Sequence, residues 1–488
     1  MRIARTHKAA QRSKESAQKQ ADRLAMALRI PSFLVVFFLL VAGVFFTGCA
    51  GHEARTKSAL DALDAGKASV ALEKINNALG VSNAGQYPTA KNNDAAILVL
   101  DRSMILMHLE EYALASKDFE YADKQIELLD FARSTTDDVA RYLFSDDSGP
   151  YKAPPYEKLM INTMNMVSYL VRGDLQGARV EARRLAVIQK YLESQKASDV
   201  SLTSAGSYLA GFVFEKSGDP QEALRFYDEA LQHNSYNTLV QPITRLSKIA
   251  SYRTKRIRSI IGEEDSEGAT ALSDSDESPD APTTGELLVV IAYGRVPAKH
   301  AVRIPIGMAI SISESRMTPE QRSQAARIEA KGAVTWINYP ELGKPRGAFA
   351  RPSVYVDNNA QRVEGILDVD IQSKKAWEES KGVVIASAIT RMITRAVAGE
   401  ITEQLPGVRQ SNSLVKLLAN LVTQAAMVAI DTPDTRCWAT LPARIAFSRL
   451  RLPAGKHAIE LTARGTTKRK TVQIKPNGWT VVGLTVLH

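Results

Sequence analysis

Two cysteines in 488 residues exclude a disulfide framework and a cysteine-based zinc site. Aromatic residues are scarce at 7%, and seven histidines are scattered with no metal-spaced pair and no HExxH. There is no G-x-S-x-G elbow and no phosphate-binding glycine loop; "PAGKHA" has the Gly-Lys pair but lacks the upstream glycine and a following Ser or Thr. These absences leave no catalytic constellation, so a non-enzymatic protein without cofactor or metal is expected. The net charge of +9 does not support nucleic-acid binding, because residues 1–30 supply +6 of it and leave only +3 for the rest. Hydrophobic residues at 45% and charged residues at 24% are ordinary globular values.

What is present begins with "SFLVVFFLLVAGVFFTGCAGHE", residues 32–53. From Phe33 to Phe46 the run is apolar apart from Gly43, a length that suits the core of a secretion signal better than a membrane span. Phe46-Thr47-Gly48-Cys49 resembles the bacterial lipobox, with small residues before a cysteine that takes the diacylglyceryl group; Phe46 stands where Leu is usual. Starting at Met26 gives a compact signal with Arg29 as its charged flank, so residues 1–25 read as a misassigned start or a cytoplasmic extension. Residues 1–48 are thus expected to be a signal peptide and Cys49 the lipidation site. The alternative is an uncleaved single span in the inner membrane. Either way the basic flank stays inside and the remainder faces the periplasmic side of the cell envelope. Ala50 and Gly51, in place of an aspartate, favour a lipid anchor in the outer membrane.

Residues 50–262 carry a helical period and a recurring pattern. In "GFVFEKSGDPQEALRFYDEAL", Gly211, Phe214, Gly218, Ala223, Tyr227 and Ala230 fall at tetratricopeptide spacing. Small residues allow two helices to cross closely, aromatic ones fill the space beside them, and Gly218-Asp219-Pro220 turns the chain into the next helix. Ala71, Ala115 and Ala178 take the place of Ala223 in earlier copies, with separations of 44, 63 and 45 residues that imply insertions. Stacked hairpins usually present a protein-binding surface, and Asn162, Asn165, Arg172 and Arg179 are its candidate contacts.

Residues 263–285 hold eight acids and no base, which marks a disordered linker. Beyond it, residues 286–488 alternate with period two and read as strands, with Asp357-Asn358-Asn359 as a hairpin turn. A helical period returns between about 370 and 430, giving two helices, the second being "SLVKLLANLVTQAAMVAI" at 413–430. The end reads as an antiparallel meander with turns at Pro453-Ala454-Gly455 and Pro476-Asn477-Gly478, and Lys468, Arg469 and Lys470 guard an edge. The expected architecture is an N-terminal all-α tetratricopeptide-like solenoid followed by a C-terminal α+β domain, an antiparallel sheet with two helices.

"YEKLMINTMNMVSYLVRGDLQGARVEARR", "VRIPI" and "DTRCWATLP" resemble the signatures of an uncharacterised family of Gram-negative tetratricopeptide-type lipoproteins, over about residues 50–488. In the last stretch Asp434, Arg436, Trp438, Leu441 and Pro442 match, and Cys437 stands where serine is expected. The resemblance implies an anchored envelope lipoprotein and carries no assigned activity. The expected function is a membrane-anchored scaffold or assembly factor whose partners are other envelope proteins or peptides, with no nucleic acid. The alternative is a cell-wall enzyme or glycan-binding lipoprotein. Asp434, Arg436 and Trp438 form its most chemically suggestive cluster, for which an ion pair or turn cap is the competing role.

Overall fold

The computed structural model describes residues 52–89, 94–126, 151, 153–194, 202–262, 283–330, 336–344, 349–403 and 433–488. The signal and lipidation stretch with Cys49, most of the acidic linker and the second C-terminal helix at 413–430 lie outside the described residues. Among those described, no helix is long and apolar enough to cross a membrane.

Eight helices pack first as consecutive pairs: α1 (His52–Asp64) with α2 (Ala68–Leu79), α3 (Ala95–His108) with α4 (Tyr112–Gln125), α5 (Pro155–Val171) with α6 (Leu175–Ser194), and α7 (Thr203–Lys216) with α8 (Pro220–His233). Ala71, Ala115, Ala178 and Ala223, which set the sequence spacing, are fully buried on the second helix of each pair. A Cβ on Gly211 would fall 2.4 Å from the Tyr227 ring, and one on Gly177 would fall 2.3 Å from the Tyr169 ring. Glycine is therefore required where one helix of a pair lays an aromatic ring on the other, α8 on α7 in one case and α5 on α6 in the other. Asp219 caps α8 by accepting from the Glu222 N–H at 3.2 Å, with Pro220 at the first helical position. Two short helices, α9 (Val240–Ser247) and α10 (Lys255–Ile261), close this layer.

The rest of the chain builds β1 (Thr284–Tyr293), β2 (Lys299–Pro305), α11 (Ile306–Ser313), α12 (Pro319–Ala330), β3 (Trp336–Leu342), β4 (Ser353–Val356), β5 (Asn359–Gln361), β6 (Glu364–Asp368), α13 (Val369–Glu403), β7 (Arg444–Pro453), β8 (Gly455–Ala463), β9 (Thr466–Ile474) and β10 (Trp479–Val486). A first sheet has the order β10-β1-β7-β6 and a second the order β5-β4-β8-β9, while β2 and β3 pair by themselves. Residues 51–488 form one compact unit. The helical and strand regions, expected as separate domains either side of a linker, instead share a core.

The alternation of β1 explains that sharing. Leu288, Val290 and Ala292 join the helical core, while Leu287, Val289, Ile291 and Tyr293 pack between the two sheets with Val354, Ile459 and Leu461. The first sheet is the middle of three layers, so its strands are apolar on both faces, as "ELLVVIAY" is. A second small core under β2 and β3 joins Ile306, Ala309, Ile337, Trp377, Ile385 and Ile389 from β3, α11 and α13.

The expected closing meander is not what forms. β7 pairs antiparallel with β1, the chain leaves for the second sheet as β8 and β9, and β10 returns to lie parallel to β1 on its other side. The physical reason lies in burial. β9 exposes every second residue, as an outer layer does, whereas Val481 through Val486 are all buried, as only the middle layer permits. The turn at Asp357-Asn358 does form, with both residues at positive φ in the two-residue hairpin that joins β4 to β5. β9 is a sheet edge, and its Lys468 and Lys470 clasp Glu110 at 2.8 and 2.5 Å, in the turn between α3 and α4.

Candidate functional site

The segment 434–441 is driven into the helical layer. Trp438 is fully buried, its N–H donates to Oε1 of Glu157 at 3.0 Å, and its indole Nε1 donates to the Leu100 carbonyl at 3.1 Å. The Thr440 N–H and hydroxyl both reach Oδ1 of Asp101, at 3.0 and 2.8 Å. Burial raises the Asp101 carboxyl to about 6 despite these donors, and it also pushes up the Glu157 carboxyl. Asp101 stands with Arg102 and Ser103 as a polar break in the mainly apolar run "AAILVLDRSMILMH", and that break is the signal by which sequence reading could have found it.

Arg436 lies flat against Asp434 in a two-pronged pair, Nε to Oδ1 and Nη2 to Oδ2, both at 2.8 Å. Asp434 Oδ1 also accepts the Arg436 backbone N–H at 3.0 Å, and Nη1 stands 3.5 Å from Asp94, which Arg55 meets from the other side. Burial raises both aspartates, but their partners outweigh it: Arg436 holds Asp434 below the usual carboxylate range, and contacts with His52, Arg55 and Arg436 do the same for Asp94. The Arg436 side chain is wholly buried. The sequence cluster Asp434, Arg436 and Trp438 is thus brought together as the seam between helices and sheet, the ion-pair and turn-cap role weighed for it.

The four candidate contacts on α5, α6 and the turn between them separate. Asn162 is fully buried and donates to Oε2 of Glu181 at 2.8 Å, and Asn165 is buried beside it. Neither offers its side chain to a partner: Asn162 is turned to Glu181 on α6, and β10 packs on α5 as it does on α3, with β6 on α7. Arg172 is exposed, its guanidinium over the Tyr169 ring at 5.7 Å; Arg179 is partly buried over Phe214 at 5.7 Å.

A second buried cluster, unsuspected from the sequence, joins the same two layers at the other end. Arg449 of β7 donates from Nη1 to the Tyr227 hydroxyl and from Nη2 to Oε2 of Glu215, both at 2.8 Å, and from Nε to Glu286. Lys216 bridges Glu215 and Glu286, and Arg245 adds a further contact to Glu215. Burial opposes the Glu215 charge, but Arg449 and Lys216 overcome it and hold that carboxyl far below its ordinary range.

Where the first cluster nears the surface, a cleft of about 310 Å³ opens between α1, the start of β2, the residues after β3 and the 435–439 segment. His52, Lys299, His300, Lys344, Cys437 and Leu60 are among its lining residues. Cys437 is buried, its Sγ accepts the Lys299 N–H at 3.2 Å, and burial drives its thiol up to about 12, which disfavours the thiolate. His52 is 2% exposed; its Nδ1 faces Oδ2 of Asp94 at the long distance of 3.5 Å, and its Nε2 makes no hydrogen bond. Among the described residues no group of three His, Cys, Asp or Glu could hold a metal ion. No family model, curated protein or solved structure matches the chain.

Proposed function

We propose that the protein is a membrane-anchored envelope lipoprotein that acts as a protein-binding scaffold or assembly factor, tethered through Cys49 on the periplasmic side, in the outer membrane. The helix pairs are read as tetratricopeptide-like units whose first helices serve as an internal platform for the sheet. Binding is assigned instead to the lobe of β2, β3 and α11. The observation that carries this is its exposed apolar surface. Met308 and Ile312, one turn apart on α11, are 52% and 41% exposed, and Trp336, paired with Pro305 just before that helix, is 46% exposed. Large side chains left in water near one another are a usual mark of a protein contact.

A photo-crosslinking residue at position 312 of the full chain, activated in living cells, should give a discrete protein adduct. Trp336→Ala should abolish it without lowering the melting temperature. No adduct, or one indifferent to Trp336→Ala, would remove the lobe as the binding surface. Mass spectrometry of the membrane fraction should find a diacylglyceryl group on an N-terminal Cys49. A chain that retains residues 33–47 would replace the lipid anchor with a single inner-membrane span.

A further inference from the structure

We infer that the cleft beside α1 is a binding site for a phosphate group carried on a small organic moiety. Its lining has two acids, and both are committed. Oε2 of Glu53 accepts the Ala301 N–H at 3.2 Å, and Oδ2 of Asp61 accepts from Lys57 at 2.8 Å. The cations and donors facing them are less occupied. Lys299 is steadied by the Trp377 ring at 5.6 Å and by one long contact, 3.4 Å, to the Arg436 carbonyl, which leaves ammonium protons for a ligand. Lys344 is exposed at the rim, and His300 sits on the same wall. His52 is the second, independent sign. Its Nδ1 faces Oδ2 of Asp94 at 3.5 Å, but Nε2 of this deeply buried ring makes no hydrogen bond, which costs free energy unless something entering the cleft meets it.

The excess of donors selects an anion, and the convergence of two ammonium groups with two imidazoles suits a multidentate oxyanion such as phosphate. The volume exceeds what a bare phosphate fills, and Leu60, Ala298 and Ala439 give the remainder an apolar wall against which a carbon skeleton can lie. The same chemistry could be supplied by a soluble phosphate ester or by the headgroup of a phospholipid. This inference is independent of the anchor and of the surface at α11.

The test is calorimetric titration of the full chain in a neutral maltoside detergent at fixed ionic strength, with inorganic phosphate and with glycerophosphoglycerol, a lipid headgroup diester, as separate probes. Saturable binding of at least one probe is expected, and Lys299→Ala should weaken it by about tenfold or more. Lys344→Ala, a rim change with no fold to disturb, should weaken it several-fold at an unchanged melting temperature. Tighter binding of the diester assigns the site to a lipid headgroup; tighter binding of inorganic phosphate assigns it to a soluble ester. Absence of saturable binding for both probes, or wild-type affinity in both lysine variants, overturns the inference.

Discussion

The two buried charge clusters sit at opposite ends of one helix–sheet seam and are finished differently. At the Arg449 end every nitrogen of the guanidinium has a partner, and the carboxylates it meets are further bridged by Lys216 and Arg245. At the Arg436 end the pair with Asp434 is equally well made, but its neighbourhood runs outward through Asp94 and His52 to a cleft. A closed network fixes the register of two layers and has nothing left to offer. A network that ends in a ring with one nitrogen, Nε2 of His52, left without a hydrogen bond is stability given up locally, which is where binding sites are found.

The comparison breaks most visibly with Arg449→Ala, which strands Glu215 and Glu286 in a buried site. Urea unfolding should show a loss of about 4 kcal/mol, and a loss under 1 kcal/mol would mean the cluster is hydrated rather than closed. Arg436→Ala should cost less, about 3 kcal/mol, because Asp94 keeps Arg55 and Asp434 is 18% exposed. Equal costs at the two ends would erase the distinction.

A third carboxylate sharpens it through pH. Burial lifts Glu181 from 4.5 to about 7, with Asn162 and Arg184 opposing only in part. Its folded pKa is raised, so the native state binds the extra proton, and stability should fall as pH rises from about 4.5 to about 7. Glu181→Gln should flatten that slope and leave the protein about 2 kcal/mol more stable than wild type at pH 8, read from urea midpoints at several pH values. A slope unchanged by the substitution would place the titration elsewhere. Smallest of all should be His52→Ala, which deletes only the 3.5 Å contact to Asp94, a carboxylate that keeps Arg55, and should move stability by less than about 1 kcal/mol. A loss comparable to Arg436→Ala would make the ring a structural member and take away the unpaired group on which the contrast rests.

Local features were legible where local rules decide them. Gly211 with Tyr227, the Asp219-Pro220 helix start and the Asp357-Asn358 hairpin follow from steric and capping rules acting within a few residues. Pairing between distant strands does not. "WTVVGLTVLH" reads as the last arm of a meander until one notices that it is apolar on both faces, as "ELLVVIAY" is, and so belongs in the same buried layer. Asn162 and Asn165 looked like contacts on an open helical face because no local signal tells that another part of the chain covers it. Asp434 and Arg436 were visible as a cluster, and their spacing of two residues already allowed the bidentate pair. The cleft was hidden because His52, Lys299 and Lys344 come from three distant segments.

The parallel pairing of β10 with β1 has a consequence for how the protein is made. The helical layer is complete in the emerging chain long before its covering sheet can be. β1 follows soon after, yet its second edge stays unmatched until β10 is synthesised, after every other strand of the three sheets. Until then an apolar strand and the helical face beneath it are open to solvent and to other chains.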